Sequence, residues 1–253
     1  NTYGNKFLNC YNGIELMNDI LSSTETSADQ LKNIRWVARI WSQYLWLTTV
    51  DEFGDIPFTE ANKVSEGILK PKYDRQADIY PAILNSLKAI ADEMSAGLGD
   101  DNLGNGDFLF KGDVAKWRKF CNSLRLRAAM RIVNVAPDLA KSTIEEIAQD
   151  LSKYPILDSS EDNAYLYWQG SKPYNEPWYD NSLSRDDYGM SNIFVAHLTK
   201  MEDPRCASIM KPAEVDGQYR GYENGALSAP ANLKTISRVG ALYRDVADGF
   251  TPF

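Results

Sequence analysis

The chain has 253 residues, 43% of them hydrophobic and 25% charged, the composition of a globular fold long enough to bury a substantial core. Its formal net charge of −8 argues against a nucleic-acid partner, whose phosphates call for clustered Lys and Arg. Three widely spaced cysteines (Cys10, Cys121, Cys206) with no CxxC pair, beside one histidine, exclude a disulfide framework and a Cys/His zinc site.

Along the chain, no stretch approaches the roughly 20 apolar residues of a membrane-spanning helix, and no basic-then-apolar leader opens it. The polar start and the unclosed end at residues 249–253 predict a chain incomplete at both ends. Residues 7–21 carry Phe7, Tyr11, Ile14, Met17 and Leu21 on a rough stripe, predicting a short helix. From Leu31, the residues Ile34, Val37, Ala38, Trp41, Tyr44, Leu45 and Thr48 recur three or four apart and predict a long amphipathic helix. Ser27 or Asp29 is its expected cap; Trp41 is expected in the core, with Trp36 and Trp46 against neighbouring helices. Gly54 and Pro57 stop it, and residues 51–73 read as an irregular loop.

A second long helix follows, with Ile79, Ile83, Leu87, Ile90 and Met94 on one side; Pro81 places its expected start near Tyr80. After a glycine-rich turn at 97–106, Trp117, Cys121, Leu124, Ala128, Ile132 and Val135 predict a helix over 113–135, ended by Pro137. Residues 138–151 predict a fourth helix, closed by Pro155. Amphipathic helices in succession point to helical hairpins in a repeat scaffold, although no clean 34-residue consensus is present. After Pro155 the stripes fade: residues 156–192 are rich in aromatics, glycines and prolines, one short helix is expected at 191–202, and residues 203–253 read as loops and turns, the whole half showing no obvious core of its own. The fold expected is mainly α, one domain over 1–253, its helical part at 1–155 and its loop-rich part at 156–253.

Four ordered motifs accompany this pattern. The first is Phe53-Gly54-Asp55-Ile56-Pro57-Phe58 at the end of the long helix, and the second is Pro71-Lys72-Tyr73-Asp74 ahead of Ile79-Tyr80. The third is Gly112 to Ile132, which fits D-x-x-K-W-x-K-[FL]-A-N-S-L-[RK]-L-R-x-A-x-R except that Cys121 replaces a small residue. The last spans Asn175 to Arg205, with Glu176-Pro177-Trp178-Tyr179, Arg185-Asp186-Asp187-Tyr188 and Asp203-Pro204-Arg205. In these motifs the chain resembles the SusD/RagB family of outer-membrane nutrient-binding lipoproteins over roughly residues 29–225. The resemblance implies a tetratricopeptide-like helical scaffold, lipid-anchored at the cell surface through a cysteine upstream of Asn1. It also implies oligosaccharide, polysaccharide or peptide capture without catalysis or a cofactor, and hand-over to a SusC-like TonB-dependent transporter.

The strongest ligand signal is the run of seven aromatics within residues 165–188, against 11% aromatics overall. Sugars offer flat C–H faces to aromatic rings and hydroxyls to amides, carboxylates and guanidiniums. The candidate contacts are therefore Trp168, Tyr174, Asn175, Trp178, Asp180 and Arg185. Large aromatics also commonly plug loops onto helices, and Trp178 falls within a family motif; Trp168 and Tyr174 match none and are the first choices.

Other features read as ordinary structure. His197, among Phe194, Leu198 and Met201, is expected to be a satisfied or half-buried structural residue, with no GxSxG elbow to support a relay. Asp100 to Asp107 fails the EF-hand pattern, with Asn105 where glycine is needed and Lys111 where glutamate is. The basic residues Lys111, Lys116, Arg118, Lys119, Arg125, Arg127 and Arg131 read as a solvated face paired with acids. The adjacent carboxylates Asp186-Asp187 and Glu145-Glu146 do not face each other as glycosidase pairs do. The rival readings are a helical-repeat adaptor for another protein's segment and a glycoside hydrolase with dispersed carboxylates.

Overall fold

The structure is a computed structural model that describes residues 2–184, 188–228, 230, 232–244 and 248–252. The chain divides into two compact units, residues 1–164 and 165–253. The first is built from α1 (Thr2–Ser23), α2 (Lys32–Phe53), α3 (Gln76–Ser95), α4 (Val114–Arg131) and α5 (Pro137–Gln149). Each helix packs on the next, and α2 also touches α4, the tetratricopeptide-like arrangement. The shared core holds Ile40, Leu47, Val50, Ile83, Leu87, Ile90, Met94, Trp117, Leu124, Ala128 and Ile147. Burying each large aliphatic side chain contributes about 1.5–3 kcal/mol. The apolar row of α3 faces inward as its spacing predicts, and Cys121 is fully buried, which pushes its thiol up to about 12.

Helix α2 differs from expectation in phase. Its buried face is Trp36, Ile40, Leu47 and Val50, and of the expected stripe only Ala38 is buried. Trp36 and Trp46 lie in the core, while Trp41 is half-buried, stacked on Tyr44 at 4.8 Å and edge-on to Trp117 at 6.3 Å. The physical reason is that α1, α3 and α4 all contact this helix, so apolar residues run around most of it and phase no single face.

The helix starts also differ. Helix α1 already begins at Thr2. Neither Ser27 nor Asp29 caps α2: its N-cap, Leu31, makes no side-chain bond. The Asp101 carboxylate accepts instead from the N–H groups of Asn33 at 2.9 Å and Ile34 at 3.0 Å. The Asn33 amide donates in turn to the carbonyls of Gly99 and Asp101. Helix α3 starts at Gln76, ahead of Tyr80, because Asp55 accepts from the Gln76 N–H at 2.8 Å and supplies a cap upstream of Pro81. Asp74 accepts from the N–H groups of Phe58 and Thr59, so the two motif loops pin each other. Gly54 closes α2 with a φ of 73°, a region that favours glycine. Helix α4 ends at Arg131, and Pro137 is the first residue of α5, where its missing N–H costs nothing.

Basic residues of α4 pair with acids as expected, but only partly on a solvated face: Arg127 and Arg131 are exposed, whereas Arg125 is buried. Arg125 is buried and bound to Glu146; Lys119 holds Asp158 and Asp162; Arg131 holds Asp51. Lys88 bridges Asp92 and Glu146 at 2.8 Å each, and Lys153 reaches Asp92 at 2.9 Å. These cations surround the Tyr154 ring, and the Tyr154 hydroxyl donates to Asp92 at 2.6 Å. Partial burial alone would raise the Asp92 carboxyl, but hydrogen bonds from Lys88, Tyr154 and Lys153 outweigh it and hold the group well below the usual carboxylate range. Glu146 is lowered likewise, burial being outweighed by Lys88 and Arg125. A carboxyl lowered by folding adds stability above its unfolded pKa and loses it as pH falls. Thermal melts should therefore hold level from neutral pH down to about 5 and fall steeply below about 4. Replacing Asp92 with Asn should flatten that acid limb.

The second unit contains β1 (Tyr165–Gln169), α6 (Pro177–Ser184), α7 (Asn192–Lys200), α8 (Cys206–Ile209), β2 (Met210–Lys211), β3 (Arg238–Val239), α9 (Ala241–Arg244) and β4 (Asp248–Pro252). A small core forms from Val195, Leu198, Cys206 and Met210. Strand β1 pairs antiparallel with β4, Tyr167 opposite Phe250 and Trp168 opposite Gly249, and β2 pairs with β3. Residues 203–252 are thus not loops alone, and the segment expected to lack a closing element is β4. Strands of two to five residues whose partners lie far along the chain carry no periodicity to read.

Candidate functional site

Along β1 the side chains alternate: Tyr165, Tyr167 and Gln169 on an exposed face, Leu166 and Trp168 half-buried on the other. The Gln169 N–H then donates to the Tyr174 carbonyl at 3.1 Å, and the Tyr174 N–H to the Ser171 carbonyl at 2.7 Å. This tight turn brings residue 174 back to the strand end with its side chain exposed. Helix α6 follows, its first turn tied by the buried Glu176 carboxylate, which accepts from the Tyr179 N–H at 2.9 Å.

These elements sort the sequence candidates. Asn175 is buried, and its amide donates to the exposed Asp180 carboxylate at 3.0 Å, a brace between the turn and α6. Trp178 projects from α6 and meets Tyr188 edge-to-face, ring centroids 5.1 Å apart at 77°. Both rings remain open, 42% and 50% exposed, so they form a right-angled aromatic corner with free ring surface. Trp168 and Tyr174 belong to the strand and turn that precede this corner. Arg185 lies outside the described residues, as do Asp186 and Asp187. The role of Tyr188 as Trp178's partner was not legible, because the contact spans a turn with no regular period.

The other sequence features take simple roles. His197 is exposed on α7 rather than half-buried, because the helix buries Val195 and Leu198 and turns Ile193, Phe194 and Met201 outward. In the acidic turn, Asp107 accepts from the N–H groups of Leu109, Phe110 and Gly112 and from the Trp117 indole at 2.8 Å. With Asp101 capping α2, both carboxylates are occupied by N–H donors. Among the described residues no helix is long and apolar enough to cross a membrane.

Over residues 1–247 the sequence matches the model of a family described as SusD-like, starch-binding and associating with the outer membrane. Solved structures share the fold. A chitin-binding SusD homologue from Flavobacterium johnsoniae is 25% identical with a TM-score of 0.79, the match covering 96% of this chain and 49% of that one. A SusD homologue from Bacteroides fragilis is 21% identical with a TM-score of 0.79, covering 96% of this chain and 54% of that one. A further structure described as a chitin-binding protein is 21% identical with a TM-score of 0.76, covering 99% of this chain and 54% of that one. The chain thus spans about half the length of these relatives. No curated protein sequence matches it.

Proposed function

The chain belongs to the SusD-like family, and from that premise we propose that it captures oligosaccharides at the cell surface and passes them to a SusC-like TonB-dependent transporter. The outer membrane is its site of action, reached through a lipid anchor upstream of Asn1. The protein binds its glycan and does not cleave it. The observation that carries this reading is the exposed Trp178–Tyr188 corner. Two perpendicular rings offer one sugar unit a stacking face and a lateral wall, and the Asp180 carboxylate on the same helix is exposed to accept hydroxyl bonds. Trp168, Tyr174 and Arg185 are the flanking contacts in this reading, with Asn175 holding Asp180 in place.

The test is a binding screen against poly- and oligosaccharides by affinity electrophoresis and calorimetry, with a reducing-sugar assay alongside. A saturable ligand with no new reducing ends is expected. Trp178→Ala should weaken that ligand at least tenfold, on the order of 2 kcal/mol for a central aromatic anchor, with the melting temperature nearly unchanged because the ring is already 42% exposed. Release of reducing ends would replace capture with hydrolysis. A blank panel beside binding of extended peptides would move the ligand class to peptide.

A further inference from the structure

A cavity in the second unit, walled by Gly189 to Ser191, Tyr222 to Asn224, Leu233 and Ile236, sets polar and apolar groups side by side and selects no class of ligand. The helical unit holds one of another kind. Its volume is about 380 Å³, within the range of about 300–1,000 Å³ typical of small-molecule sites. It lies where the first turns of α3 and α5 meet the end of α4. Its walls are almost wholly apolar: Ala77 and Pro81 come from α3, Ile132 and Val135 from the end of α4 and the turn after it, and Leu139 from α5. The polar groups that α3 brings are already engaged. The Gln76 amide donates to the Val50 carbonyl at 3.1 Å, and the Tyr80 hydroxyl donates to Asp51, which leaves its ring to the cavity.

No carboxylate lines this cavity, and the charge at its rim is positive. Arg131 forms part of the wall; it pairs with Asp51 through Nη1 at 2.9 Å, and its side chain is 42% exposed, so the rest of its planar fork faces solvent and ligand. Arg127 lies one turn earlier on the same side of α4, exposed and, among the described residues, without an ion pair or hydrogen bond. Both guanidiniums act on Tyr80: burial and the bond to Asp51 hold its hydroxyl above the ordinary value, and the two arginines pull the other way. Asp51 offsets one of the two charges and leaves the other for a ligand. These features select by exclusion. A sugar would turn its hydroxyls to walls that offer no partners, at a cost for each unsatisfied polar group. An ammonium would meet two arginines. A carboxylate matches a guanidinium through two parallel hydrogen bonds, and the walls then call for an apolar body behind it.

We propose that this cavity binds an organic monocarboxylate, its apolar body among Tyr80, Ile132 and Leu139 and its carboxylate on Arg131 and Arg127. Hexanoate is the probe, titrated into the protein beside acetate, hexylammonium and glucose and followed by amide NMR shifts and calorimetry. Hexanoate should give saturable shifts at Ala77, Ile132 and Leu139. It should bind at least tenfold tighter than acetate, which lacks the apolar body, and hexylammonium, which lacks the negative charge; glucose should leave these amides unmoved. Arg127→Gln should weaken hexanoate at least threefold with the melting temperature unchanged, because that side chain is exposed and unpaired. Ala77→Leu, which fills the space from an exposed position on α3, should abolish the binding. Equal binding of hexanoate and hexylammonium would overturn the assignment. So would hexanoate shifts confined to residues outside the cavity, or shifts that never saturate.

Discussion

Replacing Glu146 with alanine is expected to destabilise the helical unit by on the order of 3 kcal/mol, the cost of leaving a buried charge without its partner. Its partner Arg125 is held on α4 with a side chain only 3% exposed. Arg125 also lies 5.3 Å from the Tyr154 ring centroid, which offsets little of a full charge. Once Glu146 is gone, Asp92 cannot take its place, since it is already engaged by Lys88, Lys153 and the Tyr154 hydroxyl. The cost is kept from rising further because about a third of Glu146 faces water. The prediction is asymmetric. Arg125→Met should be mild, because Glu146 keeps Lys88 at 2.8 Å and a methionine stem fills the same space. The double variant Arg125→Met/Glu146→Ala should recover most of the loss. Urea unfolding of the four proteins closes the cycle through midpoints at constant slope. A Glu146→Ala midpoint within error of the parent would show that Arg125 rehydrates, and that α4 and α5 are not held by this pair.

The same pair shows why the scaffold was legible in outline and its phase was not. Gly112 to Ile132 stood out as a family pattern, and the structure gives its residues inward work: the Trp117 indole on Asp107, Lys119 on Asp162, Asn122 on the Arg118 and Pro155 carbonyls, Arg125 on Glu146. Asp55 and Asp74 of the other two helical motifs likewise fasten α3 and its preceding loop. These motifs identify the family by its frame, and none of these contacts concerns a ligand. Helices α3 and α5 announced themselves because each buries one face. Helix α2 was legible as a helix but not in phase, because three neighbours blur its period. The Asp101 cap was beyond reach for another reason: capping signals are sought just before a helix, and this one comes from the loop after α3. In the second unit the aromatic run was visible as composition. The pairing of Trp178 with Tyr188, and the cavity joined from residues 189–192, 220–224 and 233–237, depend on backbone contacts between segments with no shared spacing.

Those backbone contacts carry the second large effect. Gly221→Ala is expected to cost about 3 kcal/mol or more, the upper end of overpacking penalties, although it adds a single methyl group. A Cβ at position 221 would lie 2.2 Å from Asn192 Cα, 2.3 Å from Asn192 N and 2.5 Å from the Ser191 carbonyl carbon. All three are backbone atoms at the start of α7, so no side-chain rotation relieves the clash. Residues 220–222 must instead separate from residues 190–192. That separation breaks the Tyr222 to Met190 and Asn192 to Tyr222 hydrogen bonds and opens the cavity that Met190, Ser191 and Tyr222 line. Gly189→Ala provides the contrast, since its Cβ would meet only the Ile236 side-chain terminus within 3 Å, and that terminus can turn aside. Hydrogen exchange reads the difference directly. In Gly221→Ala the amides of Met190, Asn192, Tyr222 and Ser237 should lose protection together, while in Gly189→Ala they should stay near parental values. Retained protection at Asn192 and Tyr222 in Gly221→Ala would mean that the two segments are not in backbone contact.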